Sequence, residues 1–216
     1  MAFPFDEVVK SLKNFYRGTV PAVTKIATEK RDPFLVLVGC ILSLRTKDQV
    51  TDVAIERLSR KAHTPTEILA LPTDEMERLI YPVGFYRTKT RTIKAISQTI
   101  LDRYKGQVPD TMEELLSLKG VGRKTANIVI TEAFRKPGIA VDTHVHRISN
   151  RLGAVRTRNP HQTEDELRKV LPRRYWRIYN MLLVTHGQKT CTPLSPFCSR
   201  CTVFRYCERV GVTRSR

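Results

Sequence analysis

Four cysteines do most to limit what this chain can fold into. Cys191, Cys198, Cys201 and Cys207 form a C-x6-C-x2-C-x5-C array within 17 residues. Thiolates so close together in a cytosolic protein imply a metal centre rather than disulfides, and a segment that wraps a metal is shaped by ligation rather than by an apolar stripe. Four thiolates suit zinc and an iron–sulfur cluster alike. The compartment is itself an expectation: Met1 to Lys10 hold no basic n-region, no unbroken apolar stretch and no small-residue cleavage site, so a cytoplasmic, nucleoid-associated location is expected rather than secretion. The fifth cysteine, Cys40, lies inside the apolar run Phe34 to Leu44 and reads as a small core residue.

That run is the longest apolar stretch of the 216 residues, too short for a membrane span. Asp32-Pro33 precedes it as an N-cap with proline at the first helical position, so it is expected to be a buried central helix. The rest of the chain carries helix punctuation instead of period-two alternation, and the expected class is all-α. The pattern predicts helices at 6–15, 20–29, 33–45, 48–62, 66–71, 74–80, 86–104, 111–117, 122–134, 142–152, 163–171 and 175–186. Thr111 with Glu114 and Thr163 with Glu166 fit capping boxes, and Thr66 and Thr73 are expected to open short helices. Gly84, Gly106, Gly153 and Gly187 fall where helices would stop, His186 reads as a C-terminal residue favouring the helix dipole, and Asp48 reads as an N-cap. The N-terminal helix is expected to pack with the C-terminal segment.

Charge narrows the class of partner. Lysine and arginine number 38 against 21 acids, a net of +17, and residues 135–216 alone hold 17 basic against 5 acidic residues. Such an excess points to a polyanion. A second local signal agrees. Leu118-Lys119-Gly120-Val121-Gly122-Arg123-Lys124-Thr125-Ala126-Asn127 sets a Gly-x-Gly turn between two helical patterns, where uncovered amides and the free N–H groups opening the next helix would hold a phosphate oxygen. Taken alone, a Gly-x-Gly is also an ordinary helix–helix turn.

Together with Val141-Asp142-Thr143-His144-Val145-His146-Arg147, this stretch closely resembles the endonuclease III family. The resemblance runs from about Pro21 to Cys207 and implies two helical lobes with a DNA-binding groove between them. One lobe would be residues 26–136 with a helix-hairpin-helix, and the other residues 1–25 plus 137–216. It implies that Lys124 is the nucleophile and Asp142 its electrostatic and proton-transfer partner. It also resolves the metal: the cysteines would hold a [4Fe–4S] cluster, with Lys189, Arg200 and Arg205 turned toward phosphates. The activity implied is removal of oxidised pyrimidines from duplex DNA followed by AP-lyase strand cleavage, by a monomer that binds double-stranded DNA containing damaged bases or abasic sites, with no membrane partner.

The residue types suit that chemistry. A lysine amine attacks the anomeric carbon, expels the base and forms an iminium, which permits β-elimination. The amine must be neutral, and the first turn of a helix beside Arg123 disfavours the protonated form. An aspartate stabilises the positive charge that develops as the base leaves. His144 and His146, two apart on a helix, point to roughly opposite sides and are not expected to chelate one ion. An enzyme acting on a base must extrude it and fill the hole. By resemblance, Gly84-Phe85-Tyr86-Arg87 matches a wedge loop and Ser43-Leu44-Arg45-Thr46 a plugging segment. Phe85 replaces a frequent leucine and Arg45 a frequent glutamine. Rival readings are an adenine-mismatch glycosylase relative, a non-catalytic structure-specific DNA-binding module, and a zinc-bound RNA-binding protein.

Overall fold

The computed structural model describes residues 2–18 and 32–216, and every regular element among them is helical. The helix expected at 20–29 lies outside the described residues. The chain divides into two compact units, Pro21–Lys136 and a second made of Met1–Val20 with Pro137–Arg216.

In the Pro21–Lys136 unit the helices are α2 (Pro33–Ser43), α3 (Asp48–Lys61), α4 (Pro65–Ala70), α5 (Thr73–Ile80), α6 (Tyr86–Tyr104), α7 (Met112–Ser117) and α8 (Arg123–Ile128). Helix α2 is the axis. Asp32 caps it by accepting from the Phe34 and Leu35 amides, and every residue from Phe34 to Leu42 is buried. Around it pack α3, α6 and α8. Burying one Leu, Ile or Val side chain is worth about 1.5–3 kcal/mol, so this all-round burial makes α2 a large contributor to the unit's stability. It ends at Ser43, two residues short of expectation, because Leu44 leaves helical geometry and Arg45 turns left-handed at φ 53°.

Helix α8 passes into a π turn, Val129–Ala133, where a single continuous helix to 134 was expected. The Thr131 hydroxyl donates to the Asn127 carbonyl at 2.8 Å, claiming the acceptor an α-helical amide would use, and Phe134 N–H reaches back five residues to Val129. At α4 the cap is Thr64 rather than Thr66, in a full capping box with Glu67, and α5 opens after Pro72 with Thr73 as its first residue. Thr111 caps α7 as expected. Asp48 is the first residue of α3, whose N-cap is Lys47.

The other unit holds α1 (Phe5–Phe15), α9 (Thr143–Leu152), α10 (Pro160–Val170) and α11 (Trp176–Lys189), with short 3-10 turns at Arg173–Tyr175, Cys198–Arg200 and Phe204–Tyr206. In α1, Phe5, Val8, Val9 and Leu12 recur at helical spacing and are buried, which lays that face against α11. Asp6 accepts from Arg174 at 2.6 Å and from the Tyr175 hydroxyl at 2.6 Å, so the N-terminal helix is tied to the later chain by charge as well. Helix α10 starts three residues before the expected Thr163 because Asn159 caps it and Pro160 takes the first helical position.

Candidate functional site

In the Pro21–Lys136 unit, the turn between α7 and α8 carries the glycine motif. Gly120 has φ +80°, and a Cβ there would stand 2.9 Å from Thr92 Cγ2, so glycine is required twice over. Gly122 is different. Its φ is −98°, and as N-cap of α8 it leaves the helix start uncovered. Val121 between them is buried at 6% exposure and its N–H donates to the Leu118 carbonyl at 3.1 Å. Its side chain therefore anchors the turn in the core, and its amide is engaged within the turn. Arg123 and Lys124 follow in the first turn, both half-buried. Lys124 lies close enough to Cys40 that its charge draws the thiol pKa down, against a larger effect of burial that pushes it up to about 12. Cys40 is thus an inert core thiol.

The same unit presents the two loops expected to enter a nucleic-acid stack. Arg45 and Phe85 both sit on left-handed backbone, at φ 53° and 57°, and the Arg45 guanidinium lies over the Phe85 ring at 5.8 Å. Phe85 is 63% exposed, unusual for a large aromatic. Gly84 marks close approach rather than a helix stop, since a Cβ there would come within 2.8 Å of the Arg45 carbonyl. Tyr86 packs partly on the core and edge-on against Tyr81, while Arg87 reaches out to 3.7 Å from Glu77.

In the other unit, Asp142 is the N-cap of α9; its Oδ1 accepts from the His144 and Val145 amides, each at 2.9 Å. Along the same helix, Arg147 and Arg151 run into the cysteine segment. Arg147 donates to the Cys191 carbonyl at 2.8 Å, and Arg151 donates to the Thr192 carbonyl at 2.7 Å and to Cys191 Sγ at 3.3 Å. All four cysteines are free of disulfides and line one pocket with Ile148, Leu152 and Val203. Burial pushes the Cys201 thiol up to about 11 and raises that of Cys207. Among the described residues no three His, Cys, Asp or Glu side chains are set to grip one metal ion. A cluster in which each thiolate binds a different metal atom does not need that convergence. The donors, four soft thiols in a mostly apolar pocket with an arginine N–H aimed at one sulfur, fit an iron–sulfur group.

His186 is not the helix-end cation expected. It is 2% exposed, hydrogen-bonded to the Tyr16 hydroxyl at 2.9 Å, and burial holds its pKa down to about 4, so it is neutral. Gly187 lies within α11, where a Cβ would collide with His144 Nδ1; it is a packing glycine, not a stop. His146 bonds Thr163 at 2.7 Å and His144 lies beside Arg147, so the two histidines do occupy separate settings. The basic residues of the C-terminal segment lie over aromatic faces: Arg200 and Arg216 each 3.9 Å from the Phe197 ring, Arg205 4.6 Å from Tyr206, and Lys189 6.0 Å from Tyr16. Sequence reasoning missed Arg151, although its i, i+4 relation to Arg147 places both on one helix face.

Residues 38–173 match the model of the HhH-GPD superfamily base excision DNA repair protein. Endonuclease III of Thermotoga maritima is 46% identical over 180 residues, covering 83% of this chain and 84% of that one. Among solved structures, a non-covalent endonuclease III–DNA complex superposes with a TM-score of 0.84 at 34% identity, covering 94% of this chain and 92% of the other. A trapped endonuclease III–DNA covalent intermediate, an estranged-adenine complex, gives 0.79 at 34% identity, with coverage of 94% and 95%.

Proposed function

Because this chain belongs to the endonuclease III family within the HhH-GPD superfamily, we propose that it excises oxidised pyrimidines from duplex DNA and cleaves the resulting abasic site through a Schiff base on Lys124. It is a base excision repair DNA glycosylase. The observation that carries the lyase assignment is a half-buried lysine in the first turn of a helix, two residues past a glycine turn, in a chain whose relative has been trapped as a covalent DNA intermediate.

The Lys124 amine attacks C1′ as the N-glycosidic bond breaks; the base departs with the bonding electrons and takes up a proton. The new C1′ ammonium then loses a proton and the C1′–O4′ bond breaks, O4′ taking up a proton, which opens the sugar to an iminium; this acidifies C2′, and loss of its proton expels the 3′ phosphate by β-elimination. Asp142, with Oδ1 held by two amides, supplies negative charge for the cationic sugar of the transition state. The Gly120–Arg123 turn takes a phosphate without reading sequence, and Lys189, Arg200 and Arg205 add backbone contacts. Arg45, Phe85, Tyr86 and Arg87 line the stack around the extruded nucleotide. Cys191, Cys198, Cys201 and Cys207 would hold a [4Fe–4S] cluster, whose contribution here is to cross-link a segment poor in apolar residues.

Borohydride trapping on an abasic-site duplex tests the lyase assignment. Wild-type protein should give a covalent adduct and Lys124→Ala none; wild-type protein without an adduct would leave a non-catalytic DNA-binding module as the better reading. A panel of lesion duplexes tests the substrate, with oxidised pyrimidines expected to be released and adenine opposite a mismatch left intact. Iron and sulfide assays on anaerobically purified protein test the cluster, and stoichiometric zinc without iron would overturn it.

A further inference from the structure

Lys89 is a lysine in a place where a cation is disfavoured. It lies in the first turns of α6, near the positive end of the helix dipole, and is 6% exposed. A buried ammonium persists there only if its protons are taken. Nζ donates to the Leu42 carbonyl at 2.8 Å, to the Leu44 carbonyl, and to Thr46 Oγ1 at 3.1 Å, three acceptors for three protons. The two carbonyls belong to the end of α2, where helical amides no longer reach. Lys89 is thus a C-terminal cap for α2 delivered from another helix.

Thr46 extends the link. Its hydroxyl accepts the Gly84 N–H at 3.2 Å and donates to the Leu44 carbonyl at 3.3 Å, while the Gly84 backbone lies against the Arg45 carbonyl with no room for a side chain. The two turns held this way are those that present Arg45 and Phe85. Both residues adopt left-handed backbone, which costs a non-glycine residue energy and persists only where the surroundings enforce it. Their side chains are already within cation–π reach, the guanidinium 5.8 Å from the ring centroid, with the ring open to solvent.

We propose that Lys89 is a positioning residue that clamps the 44–46 and 84–85 turns together, so that Arg45 and Phe85 enter the gap left by the extruded nucleotide as one preassembled cation–aromatic wedge. The inference rests on the glycosylase reading above. It adds a residue that touches neither DNA nor the reacting atoms. It also says why a chain with arginine and phenylalanine at these positions keeps them within cation–π reach before DNA arrives: a guanidinium over an aromatic face loses less freedom on insertion than two independent side chains would.

The test is single-turnover base release together with the fluorescence rise of 2-aminopurine placed beside the lesion, which reports extrusion. Lys89→Met keeps the stem and removes the donors. It should slow both signals by about 10- to 100-fold, as displacement of a reacting assembly does, while affinity for undamaged duplex stays within about two-fold of wild type because phosphate contacts carry it. Thr46→Val should shift both in the same direction by less, and serves as the deciding variant if Lys89→Met melts early by circular dichroism. A residue acting through Phe85 leaves a further signature: in a Phe85→Ala background, either change should cost no more than about two-fold, because coupled sites are not additive. Full additive losses in that background, or wild-type extrusion in both folded variants, would overturn the clamp. The enzymatic reading fails separately, through absence of a wild-type borohydride adduct while extrusion persists.

Discussion

The Pro21–Lys136 unit and the last 27 residues are held together by different physics. In the first, nine consecutive residues of α2, Phe34 to Leu42, are buried, and the helices around them contribute Leu58, Met76, Ile80, Ile93 and Ile96 at 5% exposure or less. In residues 190–216 the only buried apolar side chains are Val203 and Pro196, Leu194 is 93% exposed, and the regular structure is two short 3-10 turns. That segment is fixed by Arg147 and Arg151 from α9, by backbone bonds such as Arg216 N–H to the Pro196 carbonyl at 2.8 Å, and by arginines stacked on Phe197. One region is stable because apolar surface leaves water. The other is held by polar ties and, in the function proposed above, by a cluster on its four thiols.

The contrast breaks most easily at the [4Fe–4S] cluster proposed for the four thiols. Stripping iron from the full chain should abolish amide exchange protection throughout 190–216 while amides of α2 stay protected; uniform loss in both would show that the two regions share one source of stability. Next in size, Leu37→Ala, at a site with 0% exposure, should cost about 2–5 kcal/mol in urea unfolding, with the cluster's absorbance retained until global unfolding. Arg151→Met should cost about 1–3 kcal/mol by leaving the Thr192 and Pro193 carbonyls without donors, and should hasten iron loss. No change in iron retention would remove Arg151 from the account. The smallest stability effect belongs to Asp142→Asn. Asparagine caps helices as well as aspartate does, so unfolding should shift by no more than about 0.5 kcal/mol, whereas base release should fall by at least about 100-fold with the loss of the carboxylate charge. Parallel losses of stability and rate would make Asp142 a cap and nothing else.

The same contrast sets how much of the molecule is legible in its residues alone. Helix α2 is legible at its start because Asp32-Pro33 is a local signal, but not at its end, where the carbonyls are capped by Lys89, more than forty residues away along the chain. Thr163 and Glu166 have the spacing of a capping box; the Thr163 hydroxyl is instead buried against Thr157 at 2.6 Å and His146 at 2.7 Å, and Asn159 does the capping. Gly187 has the position of a helix stop, yet it serves the approach of His144. Among the candidate site residues, the glycine turn and the cysteines stand out by spacing, whereas Lys124 and Asp142 are marked out only by the family resemblance. Arg147 and Arg151 are hidden by composition, since in a chain of net charge +17 a buried structural arginine resembles a solvated one.

The lyase assignment, on which the rest turns, is tested most directly by locating the covalent bond. Borohydride-reduced adduct on an abasic-site duplex, digested and mapped by tandem mass spectrometry, should carry its sugar remnant on the Lys124 side chain and nowhere else. A remnant on Lys119, on the N-terminal amine or on any other lysine, with Lys124 unmodified, would contradict the account.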